Sequence, residues 1–234
     1  MGNDSETTEL PGEPPLVVHW RRSAQARRIS LRVSGLDGRI TLTLPRRAAS
    51  RHGHDFLNER ADWLRNALAA LPQRCVVTHG AVIPLEGAAL TITPAAVRSP
   101  RAVGDCLLVP ASVQPGPRVQ AYLKLRARQR IDERVRHHTG LLGSPAGRIS
   151  LRDPRSRWGS CSSAGDLMFS WRLIMAPPEV LDYVVAHEVA HLVQMNHSPA
   201  FWDEVAQLMP GYQAHRGWLR SHGSDLHRFR FTPA

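Results

Sequence analysis

Apolar and polar residues alternate in two short runs near the start of the chain, at residues 29–33 and 40–44. Successive side chains of a strand point to opposite faces, so each run predicts a half-buried strand. A turn cluster that includes Asp37 and Gly38 separates the two runs. Together they predict a β-hairpin over residues 27–44.

Two later segments have helical rather than strand periodicity. Leucine and alanine recur at steps of three and four over residues 57–71, which predicts an amphipathic helix over residues 54–71. Apolar residues stand at every fourth position over residues 119–135, which predicts a second helix over residues 118–139. The exposed face of this second helix is rich in arginine.

The chain returns to short extended runs after the second helix. These runs lie at residues 149–152, 157–162 and 167–171. The tripeptide Ala164-Gly165-Asp166 has the composition of a tight turn between the last two runs. We therefore expect a small antiparallel sheet, and the predicted fold class is α+β.

Proline and glycine are concentrated in residues 94–117, so we place a boundary at the end of that stretch. The predicted regions are a β-rich N-terminal region with one helix, residues 16–117, and a second region, residues 118–234. A single module over residues 16–234 is the alternative. Residues 1–15 carry four acidic residues and no lysine or arginine, which is typical of a flexible acidic tail and not of a signal peptide.

The chain is strongly basic, with 30 Lys and Arg residues against 20 Asp and Glu, and Lys124 is its only lysine. Arginine binds phosphate and carboxylate groups bidentately, which is compatible with an anionic substrate or with non-specific nucleic-acid contact. A solvated arginine-rich surface explains the same composition. No apolar run reaches the roughly 18 residues of a membrane span, and the three cysteines show no C-x-x-C spacing. We therefore expect a cytoplasmic protein without membrane contact or disulfides.

Residues 187–191 match the pattern H-E-x-x-H. At about 100° per residue in a helix, His187 and His191 stand about 40° apart on one face, so both imidazoles can bind one metal ion. Glu188 is rotated about 100° from His187 and about 60° from His191. Its carboxylate can thus reach a water on the metal without binding the metal itself, which is the position of a general base.

His197 follows His191 by six residues, the spacing of the third ligand in H-E-x-x-H-x-x-G-x-x-H proteins. Gln194 stands where that pattern has glycine, so we expect the chain to turn elsewhere, with Asn196 at positive φ. Ser198 and the proline after it are typical of the cap and first residue of another helix. Three protein ligands leave one position open, which predicts one catalytic Zn²⁺ per chain.

Four segments around this motif form a recognisable set. They read Arg157-Trp158-Gly159-Ser160-Cys161-Ser162, Ser170-Trp171-Arg172-Leu173-Ile174, Tyr183-Val184-Val185-Ala186-His187-Glu188 and Asn196-His197-Ser198. With a weaker segment at residues 27–33, the set resembles the YgjP-like metal-dependent hydrolases, relatives of the SprT-like and WLM proteases in the zincin superfamily.

The resemblance implies a zincin-like fold in which residues 118–234 are the catalytic region and nearly all of the chain after the tail is one family module. It assigns the metal-ligand roles to His187, His191 and His197 and the role of base to Glu188. It also implies that a strand of the small sheet, Trp158 to Ser162 or the strand paired with it, lies beside the metal.

Four further residues are candidates for substrate binding, namely Arg155, Arg157, Trp158 and Tyr183. The two arginines are suited to a substrate phosphate or carboxylate, or to ion pairs with Asp153 or Asp166. Tyr183 lies one helical turn before the motif, where it faces the metal or packs in the core.

These features favour a zinc-dependent hydrolase, with a peptidase preferred because of its helix motif. A metal-dependent nucleoside triphosphate pyrophosphohydrolase is an alternative that the basic composition favours. A nucleic-acid-associated protease like the SprT-like relatives is another. The expected partner is accordingly a peptide or a nucleotide.

Overall fold

The computed structural model describes residues 6–35, 37–71 and 73–232, which have a mixed α+β fold. The chain divides into two compact units, Met1–Gln73 and Arg74–Ala234, and each has its own hydrophobic core. This division lies earlier than the predicted one at residue 117. The reason is that Leu107, before that point, and Val119, after it, belong to the same core.

The first unit is a four-stranded sheet with two helices. Its elements are β1 (Thr7–Leu10), β2 (Leu16–Ser23), β3 (Ser30–Val33), β4 (Ile40–Pro45), α1 (Ser50–Glu59) and α2 (Ala61–Ala69). The strand order is β1-β2-β4-β3. Strands β3 and β4 form the predicted antiparallel hairpin, with Leu31 opposite Leu42 and Gly38 at a φ of 73° in the turn.

Two expectations for this unit need correction. The predicted helix over residues 54–71 begins earlier and is interrupted at Arg60, whose φ of −104° and ψ of 9° leave the helical region. The predicted flexible tail contains a strand, because β1 pairs with β2 and buries Leu10. Residues 1–5 of that tail lie outside the described part of the chain.

The second unit begins with five strands and a long helix. They are β5 (Cys75–Val76), β6 (Val82–Leu85), β7 (Ala88–Ala95), β8 (Arg101–Val103), β9 (Cys106–Pro110) and α3 (Pro115–Leu142). Four of the strands form a sheet of order β6-β7-β9-β8. Helix α3 contains the predicted helix and extends beyond it, and every fourth residue from Val119 to Val135 is buried. Gly143, at a φ of 70°, ends it in the left-handed conformation that glycine allows.

The rest of the unit holds the elements around the H-E-x-x-H motif. They are β10 (Ile149–Arg152), β11 (Gly159–Cys161), β12 (Leu167–Ser170), α4 (Pro178–Ala190), α5 (Pro199–Leu208), α6 (Tyr212–His222) and β13 (Phe229–Arg230). Short 3-10 helices occupy Trp171–Met175 and Gly223–His227. Strand β13 pairs with β5, and the buried Arg172 donates hydrogen bonds to the carbonyls of Leu226 and Phe229.

The small sheet has the order β10-β12-β11, and its pairing is mixed rather than antiparallel as expected. Strands β11 and β12 are antiparallel because a tight turn joins them, in which the Gly165 amide donates to the Ser162 carbonyl. Strand β10 pairs in parallel with the other side of β12, which the long connection from Asp153 onward permits. Strand β11 is consequently an edge strand.

Candidate active site

The three histidines named from the sequence lie together beside α4. His187 is on the helix, His191 is at its C-terminal end, and His197 is in the turn before α5. The ligand atoms of the three side chains are all within 4.8 Å of one another. Their ring centroids are 4.9 to 5.1 Å apart, so the rings form a nearly equilateral group.

The turn that brings His197 back does not use positive φ. Among the described residues Glu86 is the only non-glycine residue with positive φ, so the expectation for Asn196 was wrong. The Asn196 side-chain carbonyl instead accepts a hydrogen bond from the Ser198 amide at 3.1 Å, which closes a compact turn. Ser198 then precedes α5, as predicted.

The imidazoles fit a zinc ion in protonation and in spacing. His191 Nδ1 is 2.9 Å from the Gln194 carbonyl, and donation to that oxygen leaves Nε2 free to bind a metal ion. His187 Nε2 and His197 Nε2 are 3.2 Å apart. Nitrogens bound tetrahedrally to zinc at about 2.0–2.1 Å are about 3.3 Å apart. Burial, followed by the charges of His191 and His197, lowers the pKa of His187 to about 3, so this ring is neutral as a ligand must be.

Aromatic side chains from α5 hold the three imidazoles. The Phe201 ring centroid is between 4.4 and 4.9 Å from all three, and Trp202 lies 5.8 Å from His197 in a stacked arrangement. The Arg216 guanidinium lies 4.4 Å from the Trp202 ring. Trp202 was not predicted as a site residue. Its position five residues after His197, at the start of the next helix, was the available signal.

Glu188 lies beside the histidines but is not part of their group. Its side chain is buried, and burial raises its pKa to about 8 against the opposing charge of Arg157. Gly159 of β11 makes room for it, because a Cβ there would lie 2.5 Å from Glu188 Oε1. The sequence did not predict this role of Gly159, because the contact with Glu188 joins residues that are far apart along the chain.

The histidines and Glu188 open into a cleft of about 420 Å³. The cleft is lined by Ser156, Arg157, Gly159, Ser160, Cys161, His187, Glu188, His191, Met195 and His197. One wall is therefore the edge strand β11 together with the residues just before it. Burial is the main cause that raises the pKa of Cys161, which keeps its thiol protonated.

The structure separates the four candidate substrate-binding residues. Arg157 lines the cleft, whereas Trp158 is half-buried with its ring 5.1 Å from that of His227. Tyr183 is buried and stacks on Tyr212, and burial raises its pKa to about 12, which fits a packing role.

Arg155 is not among the described residues that line the cleft. Its charge acts on His227, whose pKa is lowered to about 4 by burial first and then by Arg172 and Arg155. No helix of the described residues has both the length and the apolar character needed to cross a membrane.

Comparisons with known proteins give a family and one structural neighbour. A family model described as YgjP-like, metallopeptidase domain, matches residues 27–222. No curated protein sequence matches the chain. A crystal structure of the metallopeptidase zymogen of Pyrococcus abyssi abylysin matches with 24% identity and a TM-score of 0.36, over 40% of this chain and 92% of that one. Because the family match spans most of the sequence and contains the H-E-x-x-H motif, the chain belongs to the YgjP-like metallopeptidase family of metal-dependent hydrolases.

Proposed function

We propose that the protein is a zinc-dependent peptidase in which His187, His191 and His197 hold one zinc ion and Glu188 is the general base. The observation that carries the proposal is the convergence of three imidazole ligand atoms next to a buried carboxyl group, on the wall of an open cleft. Nitrogen ligands of this number are typical of catalytic zinc sites, which keep one position open. Zinc bound there lowers the pKa of a water molecule and polarises a substrate carbonyl.

The chain's own contribution to the reaction centres on Glu188. Ionised, its carboxylate accepts a proton from the water that attacks the scissile carbonyl, and the resulting acid returns that proton to the leaving amine. A carboxyl group whose pKa is about 8 is suited to both transfers, since neither protonation state is strongly disfavoured near neutral pH. Gly159 supports this role by leaving space for the carboxylate.

The position of β11 favours a peptide over a nucleotide as substrate. Gly159, Ser160 and Cys161 form an edge strand that lines the cleft, and its outer edge has no strand partner among the described residues. An extended peptide can add to such an edge through main-chain hydrogen bonds. Its scissile bond would then lie along the wall that also carries Glu188.

The test is a substrate panel on zinc-loaded protein, with an unfolded casein-like protein and nucleoside triphosphates side by side. We expect the casein-like protein to be cut, and Glu188→Gln to reduce cutting by roughly a hundredfold or more with its zinc content unchanged. His197→Ala should lower the zinc content measured by elemental analysis, because it removes one of three ligands.

Glu179→Gln is the matched control, because it makes the same acid-to-amide change at an exposed position in the first turn of α4. This variant should retain both zinc and activity. The proposal would be overturned by zinc-dependent release of pyrophosphate from a triphosphate, lost in Glu188→Gln and unaccompanied by peptide cleavage.

A further inference from the structure

We infer that Arg157 makes the cleft selective for peptides that carry a carboxylate close to the scissile bond. The inference rests on the proposed peptidase function and specifies its substrate class. Arg157 is exposed, lies two residues before Gly159 and lines the same cleft as His187 and Glu188. Among the described residues that line the cleft, it is the only one with a permanent positive charge.

The acidic residues near Arg157 in sequence are engaged by other arginines. Asp153 accepts two hydrogen bonds from Arg172, at 2.7 and 3.2 Å. Asp166 accepts from the backbone amide of Arg148 at 2.8 Å and lies near that residue's guanidinium. Within residues 6–35, 37–71 and 73–232, Arg157 forms no ion pair, so its guanidinium is available to an incoming anion.

Arg157 lies where the chemistry would occur. It lines the same cleft as Glu188 and the three histidines, and Gly159, two residues later, leaves the space that the Glu188 carboxyl group occupies. A substrate carboxylate beside the reacting carbonyl would therefore lie within the field of the guanidinium, which can bind it bidentately. A lysine at the same substrate position would be repelled by that charge.

Two sources can supply this carboxylate, namely an aspartate or glutamate side chain and a peptide C-terminus. The same guanidinium recognises both. Peptides with an amidated C-terminus retain only the side-chain carboxylate. Peptides whose acidic residue is replaced by its amide retain only the C-terminal carboxylate.

The experiment compares kcat/KM for three matched peptides, with Asp, Asn or Lys next to the cleaved bond, each with a free or an amidated C-terminus. We expect the wild-type protein to prefer Asp over Asn by about tenfold, as a charge-assisted hydrogen bond would produce. Arg157→Gln should remove this preference, and Arg157→Glu should shift it toward Lys. Arg152→Gln, at an exposed position on β10 outside the lining residues, is the control and should keep the wild-type preference.

A second measurement does not depend on any variant. Raising the ionic strength should reduce the preference of the wild-type protein for Asp, because salt screens exposed charges. A preference that follows the free C-terminus instead of the side chain would support the inference and identify the terminal carboxylate as the group bound.

The inference and the proposed function fail in different ways. Arg157→Gln lowering kcat/KM equally for all peptides would overturn the inference, because it would mean that Arg157 acts only through Glu188. Equal cleavage of Asp, Asn and Lys peptides by the wild-type protein would also overturn it while leaving the peptidase intact. If the zinc-loaded wild-type protein cut none of the peptides, the proposed function and the inference would fall together.

Discussion

Two largely buried carboxyl groups lie six residues apart on α4, and their pKa values shift in opposite directions. Burial tends to raise the pKa of Asp182, but hydrogen bonds from His138 and Arg134 outweigh it and lower the pKa below its ordinary value. Arg134 approaches the two Asp182 oxygens at 2.6 and 2.8 Å, and His138 Nε2 lies 2.7 Å from one of them. Among the described residues Glu188 has no such partners, and burial raises its pKa to about 8.

On this helix, hydrogen-bonding partners affect the pKa of a carboxyl group more than burial does. Asp182 is fully paired and therefore stays ionised, which ties α4 to α3. The pKa of Glu188 depends instead on the opposing effects of burial and of the Arg157 guanidinium. The paired group therefore stabilises the helix position, and the unpaired one is available for proton transfer.

The largest effect should come from removing the paired group. Asp182→Asn leaves Arg134 and the buried His138 without their anion, and we expect a loss of about 3 kcal/mol in the free energy of unfolding. Urea denaturation of the wild-type protein and the variant measures this difference in the free energy of unfolding. Glu133→Gln is the control, since Glu133 also pairs with an arginine of α3 but is more than half exposed, and its loss should stay within about 0.5 kcal/mol. Equal losses in the two variants would contradict the comparison.

A smaller effect should appear in the pH dependence of the metal-free protein. The folded pKa of Glu188 is raised, so its contribution to stability is full below its unfolded pKa and is lost as pH rises through about 8. Relative to Glu188→Gln, the wild-type protein should lose roughly 2 kcal/mol between pH 6 and pH 9. Asp182 behaves oppositely, because its lowered pKa gives stability that is lost only as pH falls into the acid range. Urea denaturation of chelator-treated protein at both pH values tests this, and a constant difference between the two proteins would mean that Glu188 titrates normally.

The smallest effect should come from crowding the unpaired carboxyl group. Gly159→Ala places a methyl carbon 2.5 Å from Glu188 Oε1, so the Glu188 side chain must shift and kcat should fall about tenfold with zinc content unchanged. Gly217→Ala is the matched control on α6, because nothing lies within 4 Å of the added carbon. Peptide hydrolysis and elemental analysis measure both variants. Normal turnover in Gly159→Ala would show that Glu188 does not need this space.

The candidate site was predictable as far as it depends on local geometry. The placement of His187, His191 and Glu188 follows from helical rotation, and His197 follows from a spacing along the chain. The partners of Asp182 and the space beside Gly159 depend on residues distant in sequence. Periodicity contains no information about such contacts, so these features appear only in the folded chain.

The same distinction applies to the fold. Helix α3 and the hairpin of β3 and β4 were predicted because four-residue and two-residue periods identify them directly. The parallel pairing of β10 with β12 was not, since each strand has the same pattern whichever way its neighbour runs. The predicted boundary near residue 117 is not a boundary between the two units. A stretch rich in proline and glycine indicates a loop, but a loop can also connect two segments of one hydrophobic core.

The pairing of β5 with β13 sets an order of events during synthesis of the protein. The first unit ends at Gln73, so all of its residues are made before Cys75 is added. At about 5–20 residues per second, a ribosome needs roughly 8–30 s to make the roughly 150 residues that separate β5 from its partner strand. Until then Arg172 also lacks the carbonyls of Leu226 and Phe229. The first unit can therefore complete its contacts on the ribosome, whereas the unit that holds the histidines is closed only after β13 has been synthesised.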